Sequence, residues 1–253
     1  FQTLVAIGYV AFADAPADVA VVEVGLGGTW DATNVADGQV AVIAPVGLDH
    51  TRLLGSTVEA IATEKAGIVK PGAIAVSAEQ QDEVSQILAE RAEQVGARLY
   101  AGGTDFGIRS RDIAVGGQAL DLRGIAGDYD ELFLPLHGAH QADNAALALA
   151  AVEAFFGGER RLDPEVVRAG LAAATSPGRL EVVRRSPTIL VDAAHNPHGM
   201  TALAVALGDA FTFARLVGLV AIFGDKDAGE MLEILEPVLD HVVVTRNSSP
   251  RSL

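Results

Sequence analysis

The sequence predicts an α/β fold with a mostly parallel, doubly wound sheet, a small antiparallel subsheet and a second α/β domain. Apolar runs rich in β-branched residues alternate with amphipathic helical segments, the pattern of buried parallel strands joined by crossover helices. Residues 98–135 interrupt this alternation with short, glycine-punctuated strand candidates, which favours a local antiparallel sheet. The alternation restarts after TSPGR (175–179), so we predict two domains, residues 1–175 and residues 176–253.

Each predicted element follows from a local pattern. Residues 1–12 predict a helix because apolar side chains recur at helical spacing. Residues 19–25 (VAVVEVG) are typical of a strand buried on both faces. Residues 56–69 predict a helix that starts with a capping box from Ser56 to Glu59. Further strands are predicted at 40–46, 73–78, 188–194, 216–224 and 241–245, and further helices at 80–94, 140–156, 163–174, from Pro197 and from about Asp227.

Composition limits the kinds of function that the chain can have. The 253 residues carry 18 basic and 33 acidic side chains, a formal net charge of −15, which disfavours binding to nucleic acid or to anionic membranes. The absence of cysteine excludes disulfides, thiolate zinc sites and cysteine nucleophiles, and suits the cytoplasm. The sequence has neither a long apolar run nor a basic signal-peptide start. Because the chain starts at Phe1 inside an apolar pattern, we expect both ends to be cuts within a longer protein.

Three side chains in the first part of the chain are chemical candidates. Glu23 interrupts an apolar strand, either as a solvated or ion-paired carboxylate at the strand end or as a metal ligand at the carboxyl edge of the sheet. His50, in GLDH after the next strand, is either a structural hydrogen-bonding residue or a second ligand at that edge. Lys65, in TEKAGIVK, falls on the apolar face of its helix, so it is either a snorkelling lysine or a desolvated amine held for chemistry.

Further candidates lie in the second half. Asn144, in GAHQADNAALALA, is placed in the first turn of a helix, either as a cap or as a ligand contact. Asp192 ends a buried strand, and His195 precedes a helix that begins at Pro197, which makes either an ordinary capped turn or a phosphate site. The spacing from His195 to His198 suggests a metal only weakly, because no third ligand is placed. The GDKD segment (224–227) is most simply a solvated turn.

The order and spacing of these motifs resemble the folylpolyglutamate synthase/dihydrofolate synthase family, the folate branch of the ATP-dependent Mur-type amide ligases. The motifs are EVGLGG-x-x-DATNV, GLDH, EKAGI-x-K, HQ-x-x-N, SPGRLE, D-x-AHNP-x-G and GDKD. The resemblance runs along the whole chain and implies a Mur-ligase-like fold. It also implies that ATP phosphorylates the carboxylate of dihydropteroate or of a tetrahydrofolyl-polyglutamate. The amine of L-glutamate would then attack the acyl phosphate, and ADP and phosphate would be released.

The resemblance implies metal and substrate roles for residues in the first domain. Glu23 and His50 would be magnesium (Mg²⁺) ligands. Lys65 would be a catalytic residue that is carbamylated, which turns the amine into a carboxylate-like group able to hold a second metal. Asp31 and Ala32, in DATN, would contact the pterin. Thr29 stands where an arginine is common in the family, which weakens the expectation of one substrate contact.

The resemblance likewise implies an ATP site. Asn144 would meet the adenine, Arg179 the phosphates across a cleft between the domains, and Asp192 the ribose, while His195 would meet the terminal phosphate and act in catalysis. The family's phosphate loop, of the G-x-x-G-K-[ST] type, does not occur in the 253 residues. We expect it upstream of Phe1, and we expect the C-terminal glutamate-ligase domain to continue beyond Leu253. The 253 residues by themselves would then be inactive.

Three other interpretations stay open at this point. A peptidoglycan-precursor ligase is disfavoured by DATN and by SPGRLE. A metal-dependent hydrolase would bring Glu23, His50, Asp192 and His195 together on one metal. A catalytically inactive remnant would lack the phosphate loop altogether. The family resemblance suggests a monomer.

Overall fold

The structure, a computed structural model, describes residues 1–15, 17–250 and 252–253. Its contacts divide the chain into two compact units, Phe1–Phe106 with Ala150–Arg160 and Gly107–Leu149 with Arg161–Leu253. These units do not test the predicted domain boundary near residue 176, which stays a prediction. No helix among the described residues is both long and apolar enough to cross a lipid bilayer.

The first unit contains a three-stranded parallel sheet. Its strands have the order β1-β2-β3, and Val40 pairs with Ile74, which pairs in turn with Arg98. The parallel sheet confirms the predicted alternation of strands and helices. Its elements are α1 (Gln2–Asp14), β1 (Val40–Ile43), α2 (Thr51–Leu54), α3 (Val58–Ala66), β2 (Ile74–Ser77), α4 (Asp82–Val95) and β3 (Arg98–Ala101). Strand β3 belongs to this sheet and not to the antiparallel subsheet that was predicted to start at residue 98.

Helices α3 and α4 share one apolar core with the sheet. Ile43, Ile61, Val84 and Leu88 are buried in a single cluster, and Leu88 is only 2% exposed. Val84, Leu88 and Ala92 recur every four residues along α4, so they fall on one face of that helix. This packing fixes α3 against the sheet, and with it the last helical turn, which carries Lys65.

The strand predicted at 19–25 does not form. All of these residues are described and none belongs to a strand, and Val21 is 92% exposed. An extended segment becomes a buried parallel strand only if neighbouring strands satisfy its backbone and cover both faces. No strand in the described part of the chain pairs with it. The helix predicted at 1–12 does form as α1, but none of its residues is buried.

The capping box predicted from Ser56 to Glu59 is wrong by one residue. Helix α3 begins at Val58, and its cap is Thr57, whose Oγ1 accepts a hydrogen bond from the Ala60 N–H at 3.2 Å. The short helix α2 and Gly55, at a φ of 109°, precede this start, and neither is visible in the apolar pattern.

The second unit contains the predicted antiparallel sheet. Strands β4 (Gly107–Ala114), β5 (Gly117–Arg123) and β6 (Asp128–Leu134) pair in that order. The β4–β5 turn places Val115 at an exposed tip, 99% accessible, followed by Gly116 at a φ of 81°. The inner face is apolar, and its buried side chains are Leu120, Leu122, Tyr129, Leu132 and Leu134.

The remaining helices and strands of the second unit match the predicted alternation with one addition. They are α5 (Ala139–Phe155, shared with the first unit), α6 (Pro164–Ala172), β7 (Glu181–Arg185), β8 (Thr188–Val191), α7 (Pro197–Ala210), β9 (Val217–Val220), α8 (Ala228–Leu235) and β10 (His241–Val244). Strands β9 and β10 are parallel, as predicted, but β8 pairs with β7 in an antiparallel hairpin. Strand β7 was missed because EVVRR has only two apolar residues.

Candidate active site

The larger of two adjoining cavities in the first unit holds the two residues predicted to contact a substrate. It has a volume of about 750 Å³, and Asp31 and Ala32 line it together with Trp30, Leu54 and Glu64. Aromatic and aliphatic walls with a few carboxylates suit a planar organic molecule that also carries polar groups. The substrate site at DATN stays a prediction, and the structure adds that its residues line a cavity.

Asp31 is held by several hydrogen bonds in the wall of this cavity. Its Oδ1 accepts hydrogen bonds from the Thr33 N–H at 2.9 Å and from Thr33 Oγ1 at 2.6 Å, and its Oδ2 accepts one from the Leu26 N–H at 3.0 Å. Burial acts to raise the pKa of Asp31, but hydrogen bonds from Thr33, Leu26 and Gly25 outweigh it and lower the pKa below its usual value. Asp31 is therefore an ionised acceptor at neutral pH.

A smaller cavity in the same unit holds His50 and Lys65. It has a volume of about 230 Å³ and is also lined by Asp49 and Gly27. His50 has a φ of 51°, and its backbone N–H donates to Asp49 Oδ1 at 2.7 Å. Lys65 is half-buried, which agrees with its predicted place towards the apolar side of α3. The structure thus brings together two of the three predicted metal ligands.

The donors of the smaller cavity fit a magnesium ion only in part. Mg²⁺ prefers oxygen ligands, which Asp49 and a carbamylated Lys65 would supply, while an unmodified lysine amine is a poor ligand. Glu23 is exposed and is not among the lining residues, although Val24 is. The described residues contain no group of three or more histidine, aspartate or glutamate side chains that could hold a metal. The hydrolase hypothesis requires such a group.

The chain crosses the last turn of α3 at Gly28. A Cβ atom on Gly28 would lie 2.5 Å from the Glu64 carbonyl oxygen and 2.9 Å from Lys65 Cα. Both distances are too short for a real side chain, so only glycine allows this approach. The glycine-rich segment therefore lies directly on the backbone that carries Lys65.

In the second unit, charged side chains gather around His140. Burial lowers the pKa of His140. The charges of Asp192 and Asp143 act to raise this pKa, while those of Arg179 and Arg111 act to lower it further. Two of the predicted ATP-binding residues, Asp192 and Arg179, therefore lie within electrostatic reach of one histidine.

Asn144 is placed differently from the prediction. Helix α5 begins at Ala139, so Asn144 lies in its second turn and is not an N-terminal cap. Its side chain is exposed, and Nδ2 donates to Gln141 Oε1 at 3.3 Å. The helix was predicted to begin at residue 140, one residue after its first residue in the structure.

Asp192 organises the turn that leads to His195. Its Oδ2 accepts from the Leu180 N–H and its Oδ1 from the Ala194 N–H, each at 2.7 Å. His195 is exposed, and its Nδ1 lies 3.0 Å from the Ala193 carbonyl oxygen. Asn196 then caps α7 through a 2.8 Å hydrogen bond from the Gly199 N–H. The turn thus places His195 directly before Asn196, the cap of α7.

Three residues of these sites were missed by the sequence analysis. Asp49 lines the smaller cavity, Glu64 lines the larger one, and His140 lies among the charged groups of the second unit. Each stands inside a motif already singled out: GLDH, EKAGI-x-K and HQ-x-x-N. A signal was therefore present, but only the packing shows which side chains face a cavity.

Two protein-family models match the chain. The Mur ligase middle domain matches residues 9–152, and the glutamate ligase domain of Mur ligases matches residues 178–253. Together the two models cover most of the 253 residues.

Individual relatives match along the whole chain. A dihydrofolate synthase/folylpolyglutamate synthase of Mycobacterium tuberculosis is 52% identical over 261 residues, covering 100% of this chain and 54% of the relative. A folylpolyglutamate synthase of Lacticaseibacillus casei is 35% identical, covering 100% of this chain and 59% of the relative. The chain therefore spans about half the length of the curated relatives it matches.

Solved structures give the same picture. The M. tuberculosis folylpolyglutamate synthase in complex with ADP superposes with a TM-score of 0.95 at 52% identity, covering 99% of this chain and 56% of that one. A folylpolyglutamate synthase complex with AMPPCP and folate superposes with a TM-score of 0.90 at 34% identity, covering 95% of this chain and 59% of that one.

Proposed function

This chain belongs to the Mur ligase family, and from that premise we propose that it is part of an ATP-dependent enzyme that joins L-glutamate to folates. One observation carries the proposal. The cavity that holds Asp31 and Ala32 adjoins the cavity that holds His50 and Lys65, and the two share Gly25, Leu26 and Leu54 in their walls. The names of the relatives and the ADP and folate complexes of similar enzymes support it.

The reaction joins a carboxylate to an amine in two steps. A carboxylate oxygen of the folate or dihydropteroate attacks the terminal phosphorus of ATP, and the bond to the ADP oxygen breaks. The amine nitrogen of L-glutamate then attacks the acyl carbon, phosphate leaves, and the nitrogen loses its extra proton as the amide forms. The protein contributes mainly by positioning the two reactants and by stabilising charge.

The first unit supplies the substrate and metal residues of this proposal. Asp31 and Ala32 bind the pterin, with the ionised Asp31 carboxylate accepting hydrogen bonds from the ring. Glu23, His50 and Lys65, the last as a carbamate, would hold magnesium, and this is supported for His50 and Lys65, which line one cavity, but not for Glu23, which lies outside that lining. When bound, magnesium supplies positive charge that offsets the phosphate oxygens.

The second unit supplies the ATP residues. Asn144 contacts the adenine, Arg179 the phosphates, Asp192 the ribose and His195 the terminal phosphate. The grouping of Arg179 and Asp192 around His140 supports this assignment, as does the position of His195 beside the start of α7. The hydrogen bonds that Asp192 accepts from Leu180 and Ala194 use one lone pair on each oxygen, which leaves acceptor capacity for two ribose hydroxyls.

The remaining parts of the proposal concern the whole protein. We propose a central ATPase-type domain that includes residues 1–175 and a glutamate-ligase domain that includes residues 176–253. The limits of the two family models, 9–152 and 178–253, support that division. We also propose a cytoplasmic monomer that acts on small molecules and does not bind nucleic acid, and the net charge of −15 supports the last point.

The test is a ligase assay on the full-length protein that contains these residues. Dihydropteroate and tetrahydrofolate are each incubated with ATP, magnesium and L-glutamate, and the products are followed by mass spectrometry. We expect a product that is heavier than the folate substrate by one glutamyl unit. We also expect one molecule of ADP to be released for each amide formed. D-Glutamate and omission of ATP are the controls. ADP formation that is independent of both folates would contradict the proposal.

A further inference from the structure

The segment that carries Asp31 is fastened to the last turn of α3. The Thr29 N–H donates to the Glu64 carbonyl oxygen at 3.0 Å, and Thr29 Oγ1 donates to the same oxygen at 3.1 Å. The Trp30 N–H donates to Glu64 Oε1 at 3.1 Å. Glu64 therefore holds two successive residues of the segment, one through its backbone and one through its side chain.

A second set of hydrogen bonds fastens the other end of the segment. Asn34 Nδ2 donates to the Thr29 carbonyl oxygen at 3.1 Å and to the Gly67 carbonyl oxygen at 3.3 Å. Lys70 Nζ donates to the Asn34 carbonyl oxygen at 2.9 Å. The segment 29–34 is thus attached to Glu64 at one end and to Gly67 and Lys70 at the other, and Asp31 lies between the two attachments.

Glu64 and the residue after it line different cavities. The Glu64 side chain lines the larger cavity, in which Asp31 and Ala32 lie, and the next residue, Lys65, lines the smaller one. A shift of the helix turn that moves Lys65 must therefore move the hydrogen bonds that hold Thr29 and Trp30. The two sites are joined by a short, directly bonded path.

We propose that Glu64 is a positioning residue that couples the two cavities, holding the substrate segment and Lys65 in one fixed geometry. The inference rests on the proposed ligase function, because it concerns how that reaction's substrate site and Lys65 are aligned. Lost alignment is expected to reduce both substrate affinity and turnover, since amide ligation depends on the placement of the reactants. Glu64 itself donates or accepts no proton in this role.

The kinetic test compares three variants of the full-length protein. Glu64→Ala removes the acceptor for the Trp30 N–H and is expected to lower kcat/KM for the folate about tenfold or more, with the KM for ATP unchanged. Glu64→Gln keeps an acceptor oxygen and is expected to retain most of the activity. Glu59→Ala is the matched control, because it truncates an exposed glutamate in the first turn of the same helix, while Glu64 lies near its last residue.

A spectroscopic test reads the coupling without turnover. Trp30 is the single tryptophan of the 253 residues, so 5-fluorotryptophan labelling gives it a ¹⁹F resonance that its loss in Trp30→Phe assigns. We expect Glu64→Ala to shift this resonance and Glu64→Gln to leave it near the wild-type position. We also expect Lys65→Ala to shift it in the wild-type background and to shift it less in Glu64→Ala, because that variant lacks the Trp30 hydrogen bond while the Thr29 bonds to the residue 64 backbone remain.

The outcomes separate this inference from the proposed function. If the wild-type protein adds no glutamate to folates, the proposed function fails, while the ¹⁹F experiment still decides whether Glu64 couples the cavities. If the wild type is active and Glu64→Ala matches Glu59→Ala in kcat and in both KM values, the inference is overturned. A Trp30 resonance that responds to Lys65→Ala equally with and without Glu64 would also overturn it.

Discussion

At the scale of single residues, close approach of backbone segments decides what a position tolerates. Gly28 lies against the Glu64 carbonyl and Lys65 Cα, with no room for a Cβ atom. Gly208, within α7, has no atom within 4 Å of the corresponding position. A side chain is therefore excluded at position 28 but has room at position 208.

We predict opposite stability changes for alanine at these two glycines. Gly28→Ala must displace the loop from α3 and is expected to lower the free energy of unfolding by about 1–3 kcal/mol. Gly208→Ala is expected to raise it by about 0.5–1 kcal/mol, because alanine has the higher helix propensity. Urea denaturation of the two variants measures both changes. Equal stability of the two variants would show that the approach at Gly28 is not a tight one.

A second prediction at this scale concerns Lys65. Lys65→Ala in the full-length protein is expected to abolish glutamate addition while the thermal midpoint stays close to that of the wild type, because the side chain lines a cavity and is not part of the buried core. With ¹³C-labelled bicarbonate, the wild type is expected to give a carbamate resonance that the variant lacks. Lys65→Arg, which keeps the charge but cannot be carbamylated, should be equally inactive. Unchanged turnover in Lys65→Ala would remove the carbamate from the mechanism.

At the scale of elements, the turn between β6 and α5 is held by buried polar groups. Gln118 Nε2 donates to the carbonyl oxygens of Leu136 and Gly138, each at 2.9 Å. The ring of His137 lies 4.9 Å from that of Phe211, and its buried Nδ1 has no hydrogen-bond partner among the described residues. The turn thus contains an imidazole that is more stable uncharged.

This turn predicts a pH dependence of stability. Burial lowers the pKa of His137 in the folded protein below its value in the unfolded chain, so acidification protonates the unfolded chain first. His137 therefore disfavours folding progressively as the pH falls below about 6.5 and contributes nothing above it. His137→Phe keeps a ring against Phe211 and is expected to reduce the loss of thermal midpoint between about pH 7 and pH 5. Parallel curves for the variant and the wild type would refute the assignment.

Helices and strands could be predicted from the sequence where the apolar spacing and the turn residues that define them lie within the same segment. Helix α4 and strand β2 were predicted within two residues, because their apolar spacing and turn residues are local. The strand at 19–25 failed, since the same β-branched residues form a strand only beside partners, and no described strand lies there. Strand β7 was missed because its own apolar pattern is weak. It forms a strand because it pairs with β8.

At the scale of the whole molecule, charge is the dominant feature. A net charge of −15 over 253 residues implies repulsion among carboxylates that opposes the compact state. The ion pairs seen among the described residues lie mostly on the surface, as with Arg109 and Asp130 at 2.8 Å, so they offset little of this repulsion.

We therefore predict that salt stabilises the protein. Raising KCl from about 20 mM to about 200 mM shortens the screening length from roughly 20 Å to below 10 Å, so the thermal midpoint is expected to rise by a few degrees. Sodium chloride at the same ionic strength should give the same rise, since screening depends on ionic strength and not on the salt. A rise with potassium sulfate much larger than with KCl at equal ionic strength would point instead to exclusion of the salt from the surface.

The candidate sites show what a linear sequence leaves out. Motif order identified the segments, and the structure brings His50 and Lys65 into one cavity as those motifs suggested. The roles of Glu64 and Asp49 could not be predicted, because they depend on how a loop lies on a helix turn and on the left-handed backbone of His50. The ligand and catalytic roles of all the site residues stay predictions.

The exposed tip of the β4–β5 hairpin offers a practical handle. Val115 is 99% accessible, and an added Cβ on Gly116 would have no atom within 4 Å. Since these 253 residues contain no cysteine, Val115→Cys would place one thiol in them, on a tip that tolerates attachments. A biotin or a dye coupled there would anchor the protein to a sensor surface with one defined orientation and leave both cavities of the other unit unlabelled.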